Sequence, residues 1–396
     1  MTTEQFGHPM LDHWMLDPAI TYINHGTVGA PPKRVLEAQQ ELRDEIERQP
    51  SSFLLREISP KGVGNWQRKL SRLREAANVV AEFLGAKGDD VVFVDNTTSG
   101  INAVLRSFDF REGDEVLVPD VAYGAIVHAA EYATRVRGAN VRIVPFPACV
   151  SGPSDIVDAV DKAIGPRARL LIIDHVTTGT ALIVPVAEIA DRCRRRGVAV
   201  LVDGAHAPGA IQVDIPSMGV DWYTGNLHKW GWSPRSCAVL WTTPGRQSSL
   251  RPTVISWGLD QGITHEFDWP GTRDPTPHLT APAGIAFMRE LGVERVQRYN
   301  HELAWNAGLE LSRRLDVKLL APEEMIGTMI TLPLPSRFGS TAADAAALRD
   351  VLLFDHQIEV HVGVWNNQVY VRVSAQIYNE MADIHRLADA LSRRGL

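Results

Sequence analysis

Continuous apolar runs of strand length recur from residue 91 to residue 202, with helix-like stretches between them, and this alternation limits the fold more than any other feature. The runs are Val91–Val94, Glu115–Val118, Val141–Val144, Arg169–Ile173 and Val198–Val202; helical segments follow Tyr123 and cover Asp155–Ile164 and Val186–Arg196. Strands without polar alternation are buried on both faces, and strands joined through helices run parallel. The expectation is an α/β fold built on a mostly parallel, doubly covered sheet. Such folds place their chemistry at the C-terminal strand ends. Here those ends carry Thr98, Tyr123, Asp174-His175, Asp203 and the loop with Lys229.

Two of these positions point to one chemistry. Lys229 lies between His228 and Trp230-Gly231-Trp232, where desolvation would lower its pKa and free the amine as a nucleophile. Asp203 ends an apolar run and is followed by Gly-Ala-His206-Ala-Pro-Gly209. Alone, Lys229 also reads as a surface lysine and Asp203 as a strand-end turn or cap. As a pair, a carboxylate able to hold a pyridinium nitrogen and a lysine able to hold an aldehyde suggest pyridoxal phosphate.

Other positions keep two readings open. Val91–Val94 runs through Asp95-Asn96-Thr97-Thr98-Ser99 into a helix, which gives either a phosphate cradle of free N–H groups and hydroxyls or an ordinary N-cap. Tyr123 could cover a flat cofactor or pack under its turn. Asn24 and His25, before the Gly29-Ala-Pro31-Pro32 turn, line a pocket or cap the turn. Arg372, in Tyr370-Val-Arg372-Val-Ser374, alternates with apolar residues and either grips a substrate carboxylate or faces solvent. Trp230, Trp232, Trp257 and Trp365 form an aromatic pocket wall or serve as core and interface residues.

The expected division is a large α/β domain over 21–276 and a smaller α+β domain over 277–396 joined by a polar N-terminal arm, 1–20. Long helices are expected over Lys33–Gln49 and Trp66–Leu84, and the Pro/Gly-rich stretch Arg251–Pro277 reads as irregular and functional or interfacial. With 40 basic and 47 acidic residues, net charge −7, nucleic acid is not an expected partner; Arg192–Arg196 reads as a helix C-terminal turn. Three cysteines without pattern exclude a disulfide framework and a cysteine metal cluster. No leader or membrane-spanning apolar run is visible, so a cytoplasmic location is expected.

Taken together, these residues resemble the class V aminotransferase group of fold-type I pyridoxal-phosphate enzymes, and more narrowly its isopenicillin N epimerase-like branch. The most specific pieces are Val202-Asp203-Gly-Ala-His206-Ala-Pro-Gly209, His228-Lys229-Trp230 and Gly271-Thr272-Arg273-Asp274. The resemblance implies that Lys229 binds the cofactor aldehyde and shuttles protons, that Asp203 pairs with the ring nitrogen, and that His206 lies near the ring hydroxyl. It also implies a Tyr123 ring stack, phosphate contacts from Thr97, Thr98 and His228, and substrate-carboxylate binding by Arg372. Thr272 would reach the phosphate of a neighbouring subunit, which implies a homodimer with shared sites. Asn226-Leu227 stands where the family commonly has a Ser-Gly pair, at a phosphate-contact position. The segment His361–Asn367 lacks the cysteine that desulfurases carry there, which disfavours a persulfide-forming desulfurase. The implied activity is epimerisation of an amino acid, with C–S β-elimination from a cysteine conjugate and transamination as alternatives. Epimerisation needs a second acid/base opposite Lys229, for which His25, His206 and Tyr123 are candidates.

Overall fold

The computed structural model describes residues 5–58 and 69–392. Its strands are β1 (Thr21–Tyr22), β2 (Val91–Val94), β3 (Glu115–Pro119), β4 (Asn140–Val144), β5 (Ala168–Asp174), β6 (Ala199–Asp203), β7 (Trp222–Asn226), β8 (Ala238–Thr242), β9 (Met329–Pro333), β10 (Ile358–Glu359), β11 (His361–Trp365) and β12 (Gln368–Ser374). The main sheet has seven strands in the order β2-β8-β7-β6-β5-β3-β4. From β7 to β4 every pairing is parallel, whereas β8 runs antiparallel to both β7 and β2. The sheet is therefore an α/β core with one reversed strand.

Side chains alternate between its faces. Leu170, Ile172, Leu201, Trp222 and Leu240 join one core cluster with residues of the helices Thr97–Ser107 and Gly124–Arg135. Leu171, Ile173, Val200, Val202, Tyr223 and Val239 join the other, with residues of Arg72–Phe83, Pro153–Ala163 and Val186–Arg195. The same alternation puts Asp174, Asp203, Thr224 and Asn226 on the first face, beside the start of helix Thr97–Ser107. That helix comes down hard on the strand ends. A Cβ on Gly100 would meet Thr224 Oγ1 at 2.5 Å, so only glycine allows the approach.

Toward the C-terminus, β11, β12 and β9 form an antiparallel sheet against the helices Val293–Leu315 and Ala342–Phe354. The latter helix opens with a capping box between Thr341 and Asp344. β1 pairs in parallel with β10, and Asn24 bridges to Ser374, so the N-terminal segment is stitched to the last strands.

Several expectations need correction. The N-terminal arm is not a polar strap: Phe6, Met10 and Trp14 are buried against Trp232, Phe287, Ile377 and Tyr378, and Trp14 Nε1 donates to the Ala30 carbonyl at 2.8 Å. Their spacing of four is a helical stripe, realised around the 3-10 turn His8–His13. The helix expected over Trp66–Leu84 spans Arg72–Phe83, with Ser71 capping it; residues 66–68 lie outside the described residues. The extended segment Ile358–Trp365 is broken at Val360 into β10 and β11. Within Arg251–Pro277 a short helix, Ile263–Asp268, forms, its buried Glu266 and Asp268 paired with Arg251 and Arg74. The arginine run ends helix Val186–Arg195, and Arg192, Arg194, Arg195 and Arg196 pair with Glu188, Asp191 and Asp161. No helix among the described residues is long and apolar enough to cross a membrane, and no group of three or more His, Cys, Asp or Glu among them is arranged to hold a metal.

Candidate active site

Lys229 sits in the tight return between β7 and β8. Leu227 N–H and His228 N–H both donate to the Cys237 carbonyl, at 3.0 and 3.2 Å. The loop is enclosed by backbone from distant segments. Gly29 (φ +69°) and Gly209 (φ +90°) occupy left-handed conformations, and a Cβ at either would overlap the carbonyl oxygen of His228 or Trp230 respectively. His25 Nε2–H donates to the Lys229 carbonyl at 3.0 Å, and the Tyr378 hydroxyl donates to His25 Nδ1 at 2.8 Å. His25 is fully buried, which pushes its pKa down to about 4. Both of its nitrogens are thus engaged, and it fixes the lysine's main chain rather than lining a pocket.

The Lys229 amine lies 3.2 Å from His206 Nε2. Burial and then the Arg372 charge lower its pKa to about 8, against the pull of Asp203 and Asp174. His206 is held well below the usual histidine range by burial and by Lys229. If its Nε2 accepts from the amine, its Nδ1 carries a proton, and that buried nitrogen has no partner among the described residues. Asp203 is buried and accepts from Ala205 N–H at 2.9 Å; burial raises its pKa.

At the start of helix Thr97–Ser107, Asn96 caps Ser99 N–H at 2.9 Å. Thr97 N–H donates to Asn226 Oδ1 at 3.0 Å. That bond decides the orientation of Asn226, because only the oxygen can accept, and it leaves the amide nitrogen without a hydrogen-bond partner among the described residues. The Thr98 N–H and hydroxyl are likewise without one. His228 Nδ1–H donates to the Cys237 carbonyl at 3.1 Å, and burial followed by Lys229 pushes its pKa down to about 4. Free donors and the positive end of a helix fit a phosphate; with Asp203 and Lys229, the residues present fit pyridoxal phosphate. Tyr123, directly before helix Gly124–Arg135, is 51% exposed. Thr272 is exposed and borders a cleft with Asp95, Ser99 and Arg273.

Arg372 is a buried cation, 1% exposed. Nη1 donates to the Thr178 carbonyl at 2.7 Å and Nη2 to Thr27 Oγ1 at 2.9 Å. Thr27 donates in turn to Asn24 Oδ1 at 2.5 Å, and Asn24 Nδ2 donates to Glu359 at 2.7 Å. Asn24 thus supports the arginine's partner. Nε is buried without a partner, and no carboxylate among the described residues forms an ion pair with the guanidinium. Burial lowers its pKa to about 10. A buried, unpaired cation near a nucleophilic amine attracts an anionic group.

Thr27, Thr178 and His361 belong to this site and were not assigned to it from the sequence, whereas Asp174 was placed among the functional strand ends without a role. His361 had a signal. Asn366 and Asn367, both with positive φ, form a tight hairpin turn, and counting back from it makes His361 the direct partner of Arg372. Of the tryptophans, Trp230 and Trp232 are buried core residues and Trp257 is 72% exposed. Cys193 and Cys237 are buried, while exposed Cys149 comes within electrostatic reach of Tyr370.

The family described as aminotransferase class-V matches residues 32–387. A probable chloroplastic L-cysteine desulfhydrase of Arabidopsis thaliana is 34% identical, covering 95% of this chain and 83% of the relative. An isopenicillin N epimerase of Streptomyces clavuligerus is 32% identical over 95% of both chains. Among solved structures, a cystine C–S lyase in complex with cysteine persulfide superposes with a TM-score of 0.80 at 22% identity, covering 98% of this chain and 100% of that one.

Proposed function

The chain belongs to the class-V aminotransferase family, and from that premise we propose that it is a C–S lyase that eliminates a β-sulfur leaving group from cysteine or a cysteine conjugate. It is an α/β fold-type I enzyme whose cofactor is pyridoxal 5'-phosphate, and its substrate is an amino acid. The bound cofactor supplies an electron sink for charge developing at the substrate α-carbon. In this reading Thr98, the Asn226 amide and the start of helix Thr97–Ser107 would hold the phosphate, with His228 beside them, and Asp203 would pair with the ring nitrogen. Arg372 holds the α-carboxylate. Lys229, whose amine loses its proton far more readily than an ordinary lysine's, removes the α-proton, and His206 shares the proton at its amine.

The observation that carries elimination over epimerisation is the state of the acid/base candidates. Epimerisation needs a second group opposite Lys229, but two of its three candidates are engaged elsewhere: His25 has both nitrogens committed and His206 lies against the Lys229 amine itself, which leaves Tyr123. Elimination needs only the lysine. Desulfhydrases among the relatives agree with this. Incubation of the cofactor-loaded protein with L-cysteine and cysteine S-conjugates tests it: pyruvate, ammonia and sulfide or thiol are expected in equal amounts. Loss of optical activity with α-deuterium incorporation and no keto acid would sink the proposal.

One observation favours the epimerase alternative. His361 shares a face with Arg372, feels the Lys229 charge and has no hydrogen-bond partner among the described residues. It is the group that would act opposite the lysine, and in that case His361→Asn abolishes racemisation while leaving α-proton exchange by Lys229.

We further infer a homodimer. Val254, Ile255, Trp257 and Leu259 are all exposed on the segment leading to Thr272, an apolar surface suited to a second copy that would bring Thr272 to the neighbouring phosphate.

A further inference from the structure

The site contains a group that the proposed reaction leaves unused. β5 and β6 are parallel, and their last residues, Asp174 and Asp203, are direct partners. Adjacent strands lie about 5 Å apart, and in-register side chains stand on the same face. Both residues are 4% exposed. Asp203 accepts from Ala205 N–H at 2.9 Å, whereas the only donor to the Asp174 side chain among the described residues is its own backbone N–H. The groups around the pair come from several elements. His175, directly after β5, is neutral and bonded to the Tyr223 hydroxyl at 3.0 Å. His206 follows β6, Lys229 follows β7, and Arg372 on β12 is directed to Thr27 and Thr178. No cation among the described residues forms an ion pair with either carboxylate.

Two carboxylates this close, out of water, cannot both ionise without a cation between them. Burial and then the Asp203 charge push the Asp174 carboxyl well above the usual range, against its own N–H and Lys229; Asp203 is raised by burial alone, against Ala205 N–H and Lys229. The asymmetry decides where a single proton rests.

We propose that Asp174 and Asp203 hold one proton between them before the cofactor enters, seated on Asp174, and that Asp174 passes it to the ring nitrogen of pyridoxal phosphate. This rests on Asp203 facing that nitrogen. One O–H bond breaks at Asp174 and one N–H bond forms on the ring; no electrons are exchanged. Two carboxylates, rather than one, then face the positive nitrogen. Asp174 therefore sets how high in pH the ring remains protonated, and with it the strength of the electron sink.

The test loads wild type and Asp174→Asn with pyridoxal phosphate labelled with 15N in the ring. Titration calorimetry in buffers of different ionisation enthalpy counts protons exchanged, and the 15N shift reports the ring nitrogen. The variant is expected to draw about one more proton from solvent near neutral pH and to lose the ring proton about one pH unit lower or more. Infrared difference spectra of the wild type, which need no variant, are expected to lose a protonated-carboxyl band on loading. Equal proton uptake, or a band that persists, overturns the proposal. A wild-type ring unprotonated at every pH would instead mean that Asp203 does not face the nitrogen.

Discussion

Lys229 and Arg372 show what burial does to a cation, and each carries a prediction. With the amine lowered to about 8, cofactor loading is expected to accelerate with pH up to about 8 and then level off, followed by absorbance after adding pyridoxal phosphate. An ordinary lysine would keep accelerating toward its usual range above 10. Because the unfolded chain holds this proton between about pH 8 and the ordinary lysine value, the group's contribution to stability rises with pH across that window. Arg372→Lys keeps the charge but loses the fork that reaches Thr178 and Thr27. The expected result is a rise in KM of about 10- to 100-fold, from one charged hydrogen bond of about 1.5–3 kcal/mol, with a smaller change in kcat. Sequence spacing was enough to single out Lys229 and Asp203, because strand ends in α/β sheets are visible as ends of apolar runs. It could not show that His25 reaches across to the Lys229 carbonyl, since that contact joins residues 204 apart.

At the level of elements, apolar continuity made β2, β3, β5 and β6 readable to within a residue or so, and the helices expected over Lys33–Gln49 and Val186–Arg196 each end one residue earlier, at Arg48 and Arg195. The direction of β8 was not readable. An apolar run buried on both faces looks the same whether its partners are parallel or antiparallel; only the tight return through Lys229 forces the reversal. That return depends on glycines elsewhere. Gly209→Ala places a Cβ against the Trp230 carbonyl at positive φ, so a loss of about 1–3 kcal/mol in denaturant unfolding is expected, together with slower cofactor loading. Unchanged stability would show that the loop relaxes freely.

On the scale of the whole molecule, the inferred dimer predicts that Trp257→Asp, made on a residue 72% exposed in the protomer, shifts sedimentation toward the monomer and weakens cofactor retention; an unaltered sedimentation profile would remove this surface from the interface. The stitching of β1 to β10 and of His25 to Tyr378, 353 residues later, bears on biosynthesis. A nascent chain emerging from the ribosome can complete much of the seven-stranded sheet early. The brace on the lysine loop must wait until Tyr378 is made. The enzyme therefore acquires its architecture well before its chemistry, and the N-terminal segment remains in search of a partner until β10 and Tyr378 have emerged.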